Sequence, residues 1–132
     1  MKYQPNNYCL FAGEIHIVER VDSKGVDLLK TLKGSTTGFV NIVGHKKSYF
    51  EVAPLPITPE LLDRLGLKKG DRLSGGTNEY WELDVWRIVF IRESYRISYR
   101  NETLLFSKFI HQVQNIYEAI EEKPLTFTSN PQ

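Results

Sequence analysis

Ser107-Lys-Phe-Ile-His-Gln-Val-Gln-Asn-Ile-Tyr-Glu-Ala-Ile-Glu-Glu-Lys-Pro124 is the longest run of helical periodicity in this 132-residue chain. Phe109, Ile110, Val113, Ile116, Tyr117 and Ile120 recur at steps that draw one apolar stripe along a helix. Ser107 stands where an N-cap belongs and Pro124 where a helix stops, so the pattern predicts a packed C-terminal helix over 107–122. His111, Gln114, Asn115, Glu118 and Glu122 form an unbroken polar row on the other side. The strands just before the helix read as the surface that its stripe covers.

Those strands lie between residues 80 and 106. Val85 to Ile91 is a nearly continuous apolar run, the mark of a central strand buried on both faces. Tyr95, Ile97 and Tyr99 alternate with Arg96, Ser98 and Arg100, which assigns aromatic and arginine side chains to opposite faces. Arg100-Asn101-Glu102 then reads as a hairpin turn into Thr103 to Phe106.

Further back, Thr58-Pro59-Glu60 opens a short helix over 59–65. Threonine is its N-cap, proline takes the first helical position, and an acid sits in the first turn. Gly66 ends it as a left-handed cap, and Leu67 folds back on it. Pro54 and Pro56 exclude a central strand, so 53–57 is an extended connector. From Tyr8 to Val52 short strand-like runs alternate with turn residues. Among them are Tyr8–Phe11, Glu14–Val21, Val26–Leu32, Phe39–Val43 and Ser48–Val52. The loops between them include Lys33–Gly38 and Gly44–Lys47, and a glycine-rich loop runs from Lys68 to Asn78. The fold class this predicts is α+β, with a bent antiparallel sheet or half-open barrel in the N-terminal half. The length fits a single domain, 1–132, with a β-rich layer over 1–53 and a helix–strands–helix layer over 54–132.

Composition narrows the function classes. Seventeen basic and sixteen acidic side chains leave a net charge of +1, so the chain lacks the basic excess of a general electrostatic nucleic-acid binder. One cysteine, Cys9, allows no internal disulfide and fits a reducing cytoplasm. No run approaches the roughly 20 apolar residues of a membrane span, and the first residues have no signal-like apolar core. No membrane partner is therefore expected.

Catalytic signals are sparse. His16, His45 and His111 fall in three different elements, none at ligand spacing, so no metal and no cofactor are expected. Cys9 lies in a strand-like run and reads as a small core residue rather than a nucleophile. Gly70, Gly75 and Gly76 precede no helix and so form no phosphate loop. Two groups remain. His111, Gln114, Asn115 and Glu118 either grip neighbouring backbone or present a binding face. Arg87, Arg92, Arg96 and Arg100 interleave with Trp81, Trp86, Tyr95 and Tyr99, the combination that single-strand nucleic-acid binders use. Strand alternation separates Tyr95 and Tyr99 from Arg96 and Arg100, which favours an aromatic core face backed by a solvated arginine face.

Thr58 to Leu73, with Pro59, Leu62, Leu65-Gly66-Leu67 and Gly70-Asp71-Arg72-Leu73, resembles the helix–turn–strand of the swapped-hairpin transition-state regulators, a DNA-binding family. Those proteins carry basic residues before the proline, where this chain has Phe50-Glu51-Val52-Ala53-Pro54. Over more of its length the chain is similar to a family of small proteins of unknown activity encoded by bacteria and their bacteriophages. The shared elements are Pro54-Leu55-Pro56-Ile57-Thr58 and His111-Gln112-Val113-Gln114-Asn115-Ile116-Tyr117. That resemblance implies a phage or mobile-element origin. The functional expectation is a non-enzymatic interaction protein, a phage or mobile-element accessory factor acting on a host protein. The alternative is a nucleic-acid-binding module built on the arginine-bearing strands 85–100.

Overall fold

The computed structural model describes residues 3–31, 39–42, 47–48, 51–70 and 78–128, with backbone alone for 29–31, 39–42 and 47–48. Of the loops expected over 33–38, 44–47 and 68–78, residues 33–38, 44–46 and 71–77 lie outside the described residues. Lys47, Lys68 and Lys69 are drawn into strands by pairing with Val26, Glu82 and Trp81. The architecture is α+β, as the pattern predicts, and it divides into two compact units: Met1–Leu55 with Phe109–Gln132, and Pro56–Lys108.

The first unit is built on an antiparallel sheet. Its strands are β1 (Tyr8–Phe11), β2 (Glu14–Val21), β3 (Gly25–Thr31), β4 (Phe39–Ile42), β5 (Lys47–Ser48) and β6 (Val52–Pro54). They run in the order β4-β3-β2-β1-β6, with β5 also on β3. Ala12 and Gly13, both at positive φ (53° and 78°), make the two-residue turn of the β1–β2 hairpin. Asp22 holds the next turn, its Oδ1 accepting from the Lys24 and Gly25 N–H groups. Register shifts at Val18/Arg20 and Lys30/Thr31 curl the sheet. His16, Ile17 and Val18 are all buried, so both faces of this stretch of β2 are covered, where simple alternation would expose one face. Cys9, Val18, Val26, Leu28, Val52 and Tyr3 form the core beneath. Pro54 takes an edge strand, where its missing N–H costs no ladder bond.

The second unit begins with α1 (Pro59–Arg64). The Thr58 hydroxyl accepts from the Leu61 N–H, and Gly66 at φ 94° turns the chain so that Leu67 N–H donates to Leu62 C=O. Each expected cap is present. Its sheet holds β7 (Lys68–Lys69), β8 (Tyr80–Leu83), β9 (Trp86–Ile91), β10 (Ser94–Tyr99) and β11 (Glu102–Ser107), in the order β11-β10-β9-β8-β7. Arg100 and Asn101, both at positive φ, form the expected hairpin turn. The run expected to be buried on both faces is the middle strand β9, yet Phe90 remains 36% exposed. The unit's ends meet, since Ile57 N–H donates to Lys108 C=O.

α2 (Ile110–Glu121) is shorter at its start than the sequence predicts. Ser107 is no cap: it remains in β11, paired with Tyr95 and buried. Phe109 takes the N-cap position without a side-chain bond, and the Ile110 N–H is satisfied by Leu55 C=O. α2 belongs to the unit of the N-terminal strands rather than to that of the strands preceding it, and it packs beside β1. Its buried side chains are Ile110, His111, Val113, Gln114 and Tyr117.

Candidate functional site

The polar row on α2 forms a clamp. Gln114 is 2% exposed, and its side chain is fully engaged with backbone. Its Oε1 accepts from the Tyr8 N–H at 2.8 Å, while its Nε2 donates to Asn6 C=O at 3.0 Å and Leu125 C=O at 2.9 Å. Asn115 Oδ1 accepts from Asn7 Nδ2 at 2.7 Å, and Asn7 Oδ1 accepts in turn from the Gln4 N–H. The Tyr8 hydroxyl accepts from the Phe127 N–H, and the two rings stack at 4.0 Å. One helical turn thus ties the chain before β1 to the chain after α2.

His111 is fully buried, its ring 4.7 Å from that of Tyr3 and 6.2 Å from that of Phe109. Among the described residues neither ring nitrogen has a hydrogen-bond partner. Burial disfavours the imidazolium and pushes the pKa down to about 4. Of the four residues read as a possible binding face, His111 and Gln114 are therefore inside, Asn115 is bonded to Asn7, and Glu118 is half-buried. The buried pair cannot meet a partner in this structure.

The arginine strands divide as the alternation of β10 predicts, with two further aromatics added to the arginine face. Cross-strand register puts Tyr80, Val89, Arg96 and Phe106 in one row, with Glu82, Arg87 and Ser98 in the next. Tyr95 and Tyr99 lie on the opposite face with Trp81, Trp86 and Ile88, as alternation predicts. Tyr80 and Phe106, however, join the arginine face, and their own strands gave no sign of it. Only the register shows it.

Arg87 is neutralised, with Nε and Nη2 donating to Glu82 Oε2 at 3.1 and 2.8 Å, and its guanidinium stands 5.0 Å from the Tyr80 ring. Tyr80 also covers Gly70, leaving no room there for a Cβ. Arg96 Nε is buried with no hydrogen-bond partner among the described residues, and Arg96 sits between Val89 and Phe106. Arg100 is not on the strand face: it belongs to the β10–β11 turn, 5.4 Å from the Tyr99 ring. Arg92 occupies the β9–β10 turn at φ 58°.

Around that turn lies an open cleft of about 390 Å³, lined by Ile91, Arg92, Glu93, Ser94, Phe106 and Lys108. Phe106 is 56% exposed, the highest value among the large apolar side chains described. Ile91, Phe106 and Lys108 carried no sequence motif, because an exposed phenylalanine in a strand pattern reads as core.

Elsewhere, Cys9 is completely buried, and burial pushes its thiol up to about 12. Among the described residues no three His, Cys, Asp or Glu side chains come together as metal ligands, and His45 lies outside them. No helix among the described residues is long and apolar enough to cross a membrane. No protein-family model, curated protein or solved structure matches this chain.

Proposed function

We propose that the chain is a non-enzymatic binding protein whose partner is another protein, docked on the arginine-bearing face of the second sheet near Phe106. One observation carries the reading. Phe106, an exposed aromatic side chain, stands in register with Arg96, whose Nε is buried without a hydrogen-bond partner among the described residues. Exposed aromatics beside arginine are the usual anchors of protein interfaces. An accessory role for a phage or mobile element, exerted on a host protein, is the biological form of this proposal.

The test is affinity capture of the tagged full chain from bacterial lysate after nuclease treatment, with a Phe106→Ser variant alongside. A protein retained by the parent chain and lost from the variant is the expected result. A retained set that the substitution leaves unchanged would sink this docking surface.

The second reading, single-stranded nucleic acid on the same face, is favoured by Tyr80 and Phe106 flanking Arg87 and Arg96. It predicts oligo-dT or oligo-U binding that weakens steeply with salt. Absent or salt-insensitive binding excludes it.

A further inference from the structure

The cleft at the β9–β10 turn is amphipathic. Ile91 and Phe106 supply apolar surface, while Arg92, Lys108 and the Ser94 hydroxyl supply polar groups. Among the described residues neither Arg92 nor Lys108 forms an ion pair or side-chain hydrogen bond. With Glu93 at the same rim, the cleft carries a net charge of one positive unit from three charged side chains. Such a lining matches an apolar side chain with a neighbouring carboxylate.

Resting on the protein-binding reading above, we infer that this cleft takes an extended acidic segment of the partner protein. One apolar side chain of that segment seats on Ile91 and Phe106, and an adjacent Asp or Glu is held by Arg92 and Lys108. The lining favours this occupant over nucleic acid for two reasons. A phosphate backbone needs a track of free cations, yet Arg87 is already paired with Glu82 and Arg100 lies at the other hairpin turn. Base stacking needs free rings, yet Tyr80 is occupied against Gly70 and Arg87.

Selection of random linear peptides displayed against the full-length protein tests the inference. Enriched peptides are expected to pair a large apolar residue with Asp or Glu one or two positions away. Binding of a labelled representative should fall by about tenfold or more in the Arg92→Asn, Lys108→Gln double variant and in Phe106→Ser. Asparagine is chosen at position 92 because it tolerates the left-handed backbone. An Arg100→Gln control should bind within about twofold of the parent chain. Circular dichroism checks that each variant is folded.

Enriched peptides without acidic residues overturn the inference, as does affinity that the cleft variants leave unchanged. Oligo-dT binding that the double variant abolishes overturns it in favour of nucleic acid. A dimer in sedimentation that Phe106→Ser dissociates overturns it in favour of a second copy. If no peptide is enriched the inference also fails, and the lysate capture then shows separately whether protein binding fails with it.

Discussion

Gln114 makes three hydrogen bonds to backbone, the first of the two roles that the polar row of the helix allowed. Truncating it strands the Tyr8 N–H and the Asn6 and Leu125 carbonyls in a buried setting. Gln114→Ala should therefore cost roughly 2–4 kcal/mol, measured by urea denaturation. Gln114→Glu should fail to rescue, because it replaces the donating amide with a carboxylate that faces two carbonyls. His111 supplies a pH dependence whose sign follows from burial. Its folded pKa lies near 4, below the ordinary 6.5, so the unfolded chain binds the proton first as pH falls. The stability contribution is complete above pH 6.5, is lost between pH 6.5 and about 4, and levels off below. The span corresponds to about 3 kcal/mol. His111→Leu should flatten the fall in melting temperature through that window, and an unchanged slope would assign it to carboxylates instead.

At the scale of elements, the two helices differ in how their ends are finished. α1 has both caps in place, and so short a helix depends on them. Thr58→Ala should destabilise by about 1 kcal/mol. α2 ends on Glu122 at φ 61°, a non-glycine residue in the left-handed region whose charge also opposes the helix dipole. Glu122→Gly relieves both effects, so a gain of about 1 kcal/mol is expected. Thermal melts of the two variants should move in opposite directions. Much of this level was legible beforehand. Thr58, Pro59, Gly66 and Leu67 announce α1 because capping is a local affair of four or five residues. Ser107 misled for the opposite reason: pairing with Tyr95 keeps it in β11, and that partner is set by sheet register rather than by neighbours along the chain.

For the whole molecule, the second unit is an insertion between Leu55 and Phe109 of the first. The C-terminal helix therefore completes a unit begun far earlier in the chain, which a division at residue 53 does not capture. Both tryptophans, Trp81 and Trp86, report on the inserted unit, and the buried Cys9 reports on the other. If the insertion unfolds, the first unit must hold its two segments together across a disordered loop, at a cost of order 3 kcal/mol. Ile97 is fully buried in the insertion. Ile97→Ala should lower the tryptophan-detected transition by about 2–5 kcal/mol. It should also speed labelling of the Cys9 thiol in mild denaturant. Labelling that stays at the parent rate would mean the units unfold independently.

By itself, the sequence determined the two helices, most of the strands, the Arg100-Asn101 hairpin and the α+β class. Each of these follows from backbone preferences and from periodicities that act over a few residues. Tertiary structure alone decided which sheet α2 covers, why His111 and Gln114 are inside, and which aromatics share the face of Arg87 and Arg96. Hydrophobic patterning sorts side chains by their average cost of burial. A glutamine whose bonds are all met by Asn6, Tyr8 and Leu125 escapes that cost, and so does a phenylalanine left exposed at the edge of a sheet. Neither circumstance is written in the residues beside them.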